Sequence, residues 1–128
     1  MLATGIASFG HVSGVHYQNL AEWDQYVRPL LEESRLPLGR ALRPTRHQLL
    51  IRELILQLKR GFLEAGYFRD KFGTEILELW PEVWQKYLED GLLTVEGDRI
   101  ELTRQGLLRA DALLPAFFEP EHRGVRYT

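Results

Sequence analysis

The 128-residue sequence predicts a mainly α domain with one small β-hairpin. Three observations carry that reading. After Thr45 apolar residues recur at three- and four-residue spacing through several stretches, the signature of helices with one buried face. The period then drops to two on either side of Gly97-Asp98. There is no cysteine, so the fold rests on its apolar residues, which make up 45% of the chain.

The elements follow in order. Gly5 to Gly14 reads as a short apolar segment entering a glycine-rich loop, GHVSGVHYQNL from Gly10 to Leu20. Asn19 and Glu22 have capping-box spacing, predicting a helix with Trp23, Tyr26, Val27 and Leu30 on one face, kinked or shortened by Pro29. Residues 35–44, RLPLGRALRP, read as a linker with two prolines, one glycine and only positive charges.

Thr45 and Gln48 form a second capping-box pair, opening a helix with Ile51, Leu54, Ile55 and Leu58 buried and Gly61 as its stop. A shorter helix is predicted over Leu63 to Phe72, ending at Gly73. Thr74 is expected to cap a third segment carrying Ile76, Trp80, Val83, Trp84, Tyr87 and Leu88, divided by Pro81 as a first helical residue and closed by Gly91. Leu93 and Val95, then Ile100 and Leu102, alternate with polar residues around a two-residue turn at Gly97-Asp98. Thr103 caps a last helix bearing Leu107, Leu108, Leu113, Leu114 and Phe117. From Thr45 onward the order is helix, helix, helix, hairpin, helix. That is a winged-helix-like arrangement, preceded by a glycine-rich loop and one helix.

Such an order raises DNA binding first, and the charges oppose it. The segment that would enter the major groove carries Glu75, Glu78, Glu82, Glu89 and Asp90 against Lys86. The hairpin adds Arg99 but also Glu96, Asp98 and Glu101, and the formal net charge is −2. Phosphate would be repelled, so nucleic acid is not an expected partner. No apolar run approaches the roughly 20 residues that span a bilayer, and the N-terminus lacks the pattern of a signal peptide. The expectation is a cytoplasmic protein with no membrane partner.

Candidate chemistry is sparse. Without cysteine the chain offers no thiol nucleophile and no thiolate ligand. His11, His16, His47 and His122 form neither an HxxxH nor an HExxH pair, so no metal ligand is assigned. Ser8 and Ser13 lie near His11 but outside any GxSxG motif, and no glycine is followed by GK[ST]. No catalytic residue emerges. Arg35, Arg40, Arg43 and Arg46 cluster along the linker, where guanidinium groups suit an acidic ligand. Trp23, Trp80, Trp84, Phe117 and Phe118 sit at helical spacing beside aliphatics and read as core.

In series, several stretches resemble one family. They are GIASFG, YQN at Tyr17 to Asn19, LPLGRALRPT at Leu36 to Thr45, RELILQL at Arg52 to Leu58, KFG at Lys71 to Gly73, DGLL at Asp90 to Leu93 and IELTRQGLL at Ile100 to Leu108. The sequence is similar to the C-terminal part of oxygen-independent coproporphyrinogen III oxidases and their relatives, which are radical S-adenosylmethionine enzymes. The resemblance implies that residues 1–34 are a remnant of the catalytic barrel's last strand, loop and closing helix. Residues 35–44 would be a linker, 45–118 the winged-helix-like C-terminal domain, and 119–128 a tail.

It further implies that Phe9, Gly10, His11 and His16 lie on a loop facing cofactor or substrate, and that Arg40, Arg43 or Arg46 pairs with the propionates of a tetrapyrrole. The parent enzyme would use a 4Fe-4S cluster held by a CxxxCxxC motif, together with S-adenosylmethionine. That motif does not occur in these 128 residues, so the chain would cover a substrate and not catalyse by itself. Its partner would be the radical barrel of the parent enzyme.

Two other readings stand beside it: a free-standing haem- or protein-binding module with the lid fold, and a DNA-binding winged helix. Without barrel neighbours, residues from Met1 to about Gly14 are expected to be disordered or buried in a partner, such as a second copy of the chain.

Overall fold

The structure is a computed structural model that describes residues 1–124. It divides into two compact units, Met1–Thr45 and Arg46–Thr128. Strand content is larger than predicted: the chain is mixed α/β, with two three-stranded sheets among the described residues.

The first unit is built on three strands, β1 (Phe9–Val12), β2 (Val15–Asn19) and β3 (Leu38–Leu42), with helix α1 (Trp23–Glu32) between β2 and β3. The segment expected to be a glycine-rich loop is therefore a hairpin. Its two-residue turn is Ser13-Gly14, both at positive φ (50° and 74°), as the twist of tight hairpins demands. Both strands of this hairpin are antiparallel neighbours in the order β1-β2-β3. The stretch read as a linker supplies β3, paired through His16–Leu42, Tyr17–Ala41 and Gln18–Arg40.

Asn19 is not a helix cap. It ends β2, is almost wholly buried, and its amide donates to the carbonyls of Ala3 (3.3 Å) and Gly5 (2.9 Å). Glu22 takes the N-cap position of α1 without a side-chain bond. Pro29 lies inside α1 and is its one buried residue, and the helix continues past it to Glu32. Trp23, predicted to be core, is 66% exposed.

The N-terminal segment is hydrogen-bonded to its own sheet. The Met1 carbonyl accepts from the His11 N–H at 2.9 Å, and the terminal ammonium donates to the His11 carbonyl at 2.9 Å. Ile6 and Phe9 nevertheless remain exposed, at 36% and 47%.

The second unit runs α2 (Arg46–Leu58), β4 (Phe62–Glu64), α3 (Ala65–Phe72), α4 (Ile76–Leu79), α5 (Pro81–Glu89), β5 (Leu93–Glu96), β6 (Arg99–Leu102), α6 (Arg104–Leu108) and α7 (Ala110–Leu113), then 3₁₀ turns at Leu114–Phe117 and Pro120–His122. Leu63 was expected in a helix. It lies in β4, opposite Ile100 on β6, and the pair is fully buried between the helices.

Several local signals hold. Pro81 opens α5, Gly97-Asp98 turns the β5–β6 hairpin, and Gly73 closes α3 in the left-handed conformation. The Thr103 hydroxyl accepts from the Gly106 N–H at 3.2 Å. Thr74 does not cap: its hydroxyl donates backwards to the Phe72 carbonyl. The predicted last helix is broken into α6, α7 and a 3₁₀ turn. In that stretch Leu113, Leu114 and Phe117 are buried, while Leu107 and Leu108 are exposed.

The core of this unit gathers Leu54, Leu63, Phe68, Ile76, Ile100 and Phe117, all fully buried. Burying each such side chain contributes about 1.5–3 kcal/mol. Its polar groups are satisfied: the Trp84 indole donates to the Ile76 carbonyl at 2.9 Å, and the Tyr87 hydroxyl to that of Leu113 at 2.8 Å. The expected C-terminal tail is partly tied down, since the Gln48 amide donates to the Glu119 carboxylate at 3.0 Å. The last four residues lie outside the described part. No helix among the described residues is long and apolar enough to cross a membrane.

Candidate functional site

The residues singled out at the N-terminus come together on the β1–β3 sheet. Directly opposed residues share a face, and residues two apart along a strand return to it. The register therefore sets Phe9, His11, His16, Gln18, Arg40 and Leu42 on one face. Phe9 opposes Gln18, which in turn opposes Arg40. The Gln18 side chain links the row: its carbonyl accepts from Arg40 Nε at 2.7 Å, and its amide donates to the Ala7 carbonyl at 3.1 Å. That bond fixes the Arg40 guanidinium through Nε, on a side chain that is otherwise exposed. The His11 and His16 rings lie 4.9 Å apart, centroid to centroid, inclined by 50°. Phe9 and Leu42 stay about half exposed and supply apolar surface at the ends of the two rows.

The opposite face is structural. Gly10 is buried beneath the Tyr17 ring, and a Cβ added there would fall within that ring. The Tyr17 hydroxyl accepts from the Ala3 N–H at 2.8 Å, so it pins the N-terminal segment. Gly10 was read as part of a site-facing loop. Its role here is to make room for Tyr17.

The arginines fall in both units. Arg40 and Arg43 belong to the first unit, and Arg35 is held by Glu33 at 2.6 Å. Arg46 opens α2 in the second unit and donates to the Lys71 carbonyl at 3.2 Å. His47 stacks near Trp80 at 6.1 Å, and His122 lies 3.3 Å from the Glu119 carboxylate. Gln18, Tyr17 and Asn19 organise the two faces, and no motif in the sequence marks them as functional. The Ser13-Gly14 dipeptide was the signal that would have revealed their strand.

In the second unit the charged groups serve the hairpin. Arg69 on α3 bridges Glu75 and Asp98, the latter at the hairpin turn. Those bonds hold both carboxyl groups below their ordinary range and raise Arg69 in turn. Glu53 is raised by partial burial but lowered more by the Lys71 ammonium and the Tyr67 hydroxyl, so its carboxyl too lies low. Burial pushes the Tyr87 phenol up. Glu78, Glu82 and Glu89 leave α4 and α5 acidic, as the sequence predicts.

A small α/β chain with two three-stranded sheets, one carrying this mixed face and the other held under helices, has a recognisable counterpart. The HemN C-terminal domain family model matches residues 44–109. The chain belongs to that family. Among solved structures it is similar to coproporphyrinogen III oxidase (HemN) from Escherichia coli, described as a radical SAM enzyme, with a TM-score of 0.72 and 20% identity. The likeness covers 89% of this chain and 27% of that one, so the present chain spans about a quarter of that enzyme's length. At this identity the likeness speaks to the fold. No curated protein matches the chain.

Proposed function

We propose that the chain is the C-terminal, substrate-covering part of a radical S-adenosylmethionine enzyme of the coproporphyrinogen III oxidase type, acting on a tetrapyrrole and not catalytic by itself. The observation that carries this is the extent of the fold likeness. It takes in nearly all of this chain, both units included, within little more than a quarter of the oxidase.

The helix, strand, three-helix and hairpin order of the second unit is read as a winged-helix lid. The first unit, with its β1–β3 sheet and α1, is read as the piece that closes a catalytic barrel. The enzyme's 4Fe-4S cluster and S-adenosylmethionine would supply the radical chemistry. This chain does not fit as the cluster's holder, because it contains no cysteine. Its contribution is shape and charge. Arg40, oriented by Gln18, would bind a propionate beside the apolar edge of Phe9. Arg43 and Arg46 are the other candidates. The protein would work in the cytoplasm.

The test is fluorescence titration of the chain with coproporphyrin. Saturable binding is expected, weakened at least several-fold by Arg40→Ala. Binding unchanged in the Arg40→Ala, Arg43→Ala, Arg46→Ala triple variant would remove the arginine role.

A second reading is favoured by the exposed apolar side chains of the first unit, Trp23, Leu31 and Leu36, at 66%, 79% and 66%. In it the chain is a free-standing module that binds haem or a protein, with a second copy as one candidate partner. The upstream reading frame separates the two: a continuous frame containing CxxxCxxC supports the first, and an in-frame stop supports the second. A DNA-binding winged helix is disfavoured by the acidic α4 and α5, and a mobility shift at low salt would revive it.

A further inference from the structure

We propose that the free edge of β3 takes up a short acidic peptide in extended form, which joins the first sheet as a fourth strand. The inference rests on the sheet's backbone and charge and stands apart from the tetrapyrrole reading, so either can fail without the other.

The strand order β1-β2-β3 leaves β3 at an edge, with no strand on its far side among the described residues. All five of its residues are exposed. Neighbouring hydrogen bonds fix which backbone groups are left over. The Asn19 N–H donates to the Ser8 carbonyl, on the β1 side, and the Leu20 N–H to the Pro37 carbonyl, on the β3 side. Backbone groups alternate in direction along a strand, so His16 and Gln18 also face β3. Their partners Leu42 and Arg40 turn their N–H and C=O groups inward to β2. Ala41, between them, turns its own away from the sheet. An edge of this kind is a template for another strand. Pro37 and Pro44 bracket it, so the guest is short.

The charge of the sheet selects the guest. Residues 1–21 and 34–52 contain no Asp or Glu, although the chain has 18 of them. All three strands fall within those ranges. Arg40 in β3 and Arg43 just after it are both exposed. Residues three apart in an extended chain point to opposite faces. An added strand with carboxylates on both faces therefore reaches both guanidinium groups.

A second copy of this chain fits badly. Two β3 edges brought together would set arginines beside arginines, with no carboxylate in either sheet to offset them. One sign of charge thus keeps copies apart and admits an acidic strand.

The experiment is fluorescence anisotropy of a labelled peptide, EEVTVEE, titrated with the unmodified chain, with KKVTVKK as its control. Saturable binding of the acidic peptide is expected, about ten-fold or more tighter than that of the basic one and weakening as salt rises. Ala41→Pro removes an outward N–H that no ladder bond uses, so the sheet should survive while the acidic peptide binds about ten-fold or more weakly. Arg43→Glu should weaken it several-fold. No binding by the unmodified chain would overturn the proposal. So would equal binding of the two peptides, or full affinity in a folded Ala41→Pro variant. Equally tight binding of single-stranded oligothymidylate would overturn it too, because phosphate needs no strand edge. Should Ala41→Pro fail to fold, amide exchange of Ala41 in the unmodified chain decides. Slower exchange with the acidic peptide present supports strand addition, and an unchanged rate contradicts it.

Discussion

Tyr17 lies across Gly10 on the neighbouring strand, and its hydroxyl accepts the Ala3 N–H at 2.8 Å. One ring thus fills the gap left by a missing side chain and ties the N-terminal segment to the sheet. Gly10→Ala would place a methyl group inside that ring, forcing Tyr17 off its rotamer. The expected cost is about 1–3 kcal/mol in urea unfolding, typical of overpacking. Gly10→Ala combined with Tyr17→Ala should lose less than the two single changes added together. Simple additivity would show that the ring does not depend on the glycine.

Gly106 is the corresponding position in the second unit. A Cβ there would collide with the Leu92 carbonyl oxygen, and backbone yields less readily than a side chain. Gly106→Ala is expected to cost at least about 3 kcal/mol, at the upper end of overpacking effects. Gly91→Ala, where a Cβ meets open space but φ is 66°, should cost only about 1–2 kcal/mol. Equal destabilisation by the two changes, in parallel denaturant titrations, would contradict the packing argument.

Acid stability should depend on Arg69. Glu75 and Asp98 titrate below their ordinary values because Arg69 bonds both carboxylates. Their folded-state values lie below the unfolded ones, so their stabilisation is complete above about pH 4, the unfolded range. It is lost as pH falls through the lower folded values. Arg69→Gln should therefore flatten the fall in stability below about pH 4 and lower stability near neutrality. A pH profile identical to that of the unmodified chain would contradict the pairing.

Tyr87 sets the opposite limit. Burial raises its phenol, so its contribution is present below about pH 10 and is lost as pH rises through the higher folded value. Tyr87→Phe strands the Leu113 carbonyl and should cost about 1 kcal/mol at pH 7. It should also flatten the alkaline loss, read from unfolding free energies between about pH 9 and 12. An unchanged alkaline slope would exclude the phenol as its source.

What the sequence disclosed was what a few adjacent residues decide. Pro81 at the start of α5, the Gly97-Asp98 turn and the Thr103 cap each need only a local signal, and each is found in place. What it hid depends on pairing at a distance. Leu63 sits in a strand because Ile100 lies opposite it, and LGRAL is a strand because β2 is there to receive it. Five residues with neighbouring prolines and no alternation look like a linker until that partner is known. Asn19 has the composition of a cap and the spacing of one, yet the carbonyls of Ala3 and Gly5 claim its amide. The site was half legible. His11, His16, Phe9 and Arg40 could be named one by one, but their common face follows from the β1–β2–β3 register. Gly10 lies on the other face of the sheet, beneath Tyr17.

The proposal that this chain covers chemistry it does not perform is tested most directly by anaerobic reconstitution of the purified chain with iron and sulfide, followed by reduction and assay of S-adenosylmethionine cleavage. The account predicts no 5′-deoxyadenosine and no iron–sulfur absorbance. A chain that retains a cluster and releases 5′-deoxyadenosine would contradict it.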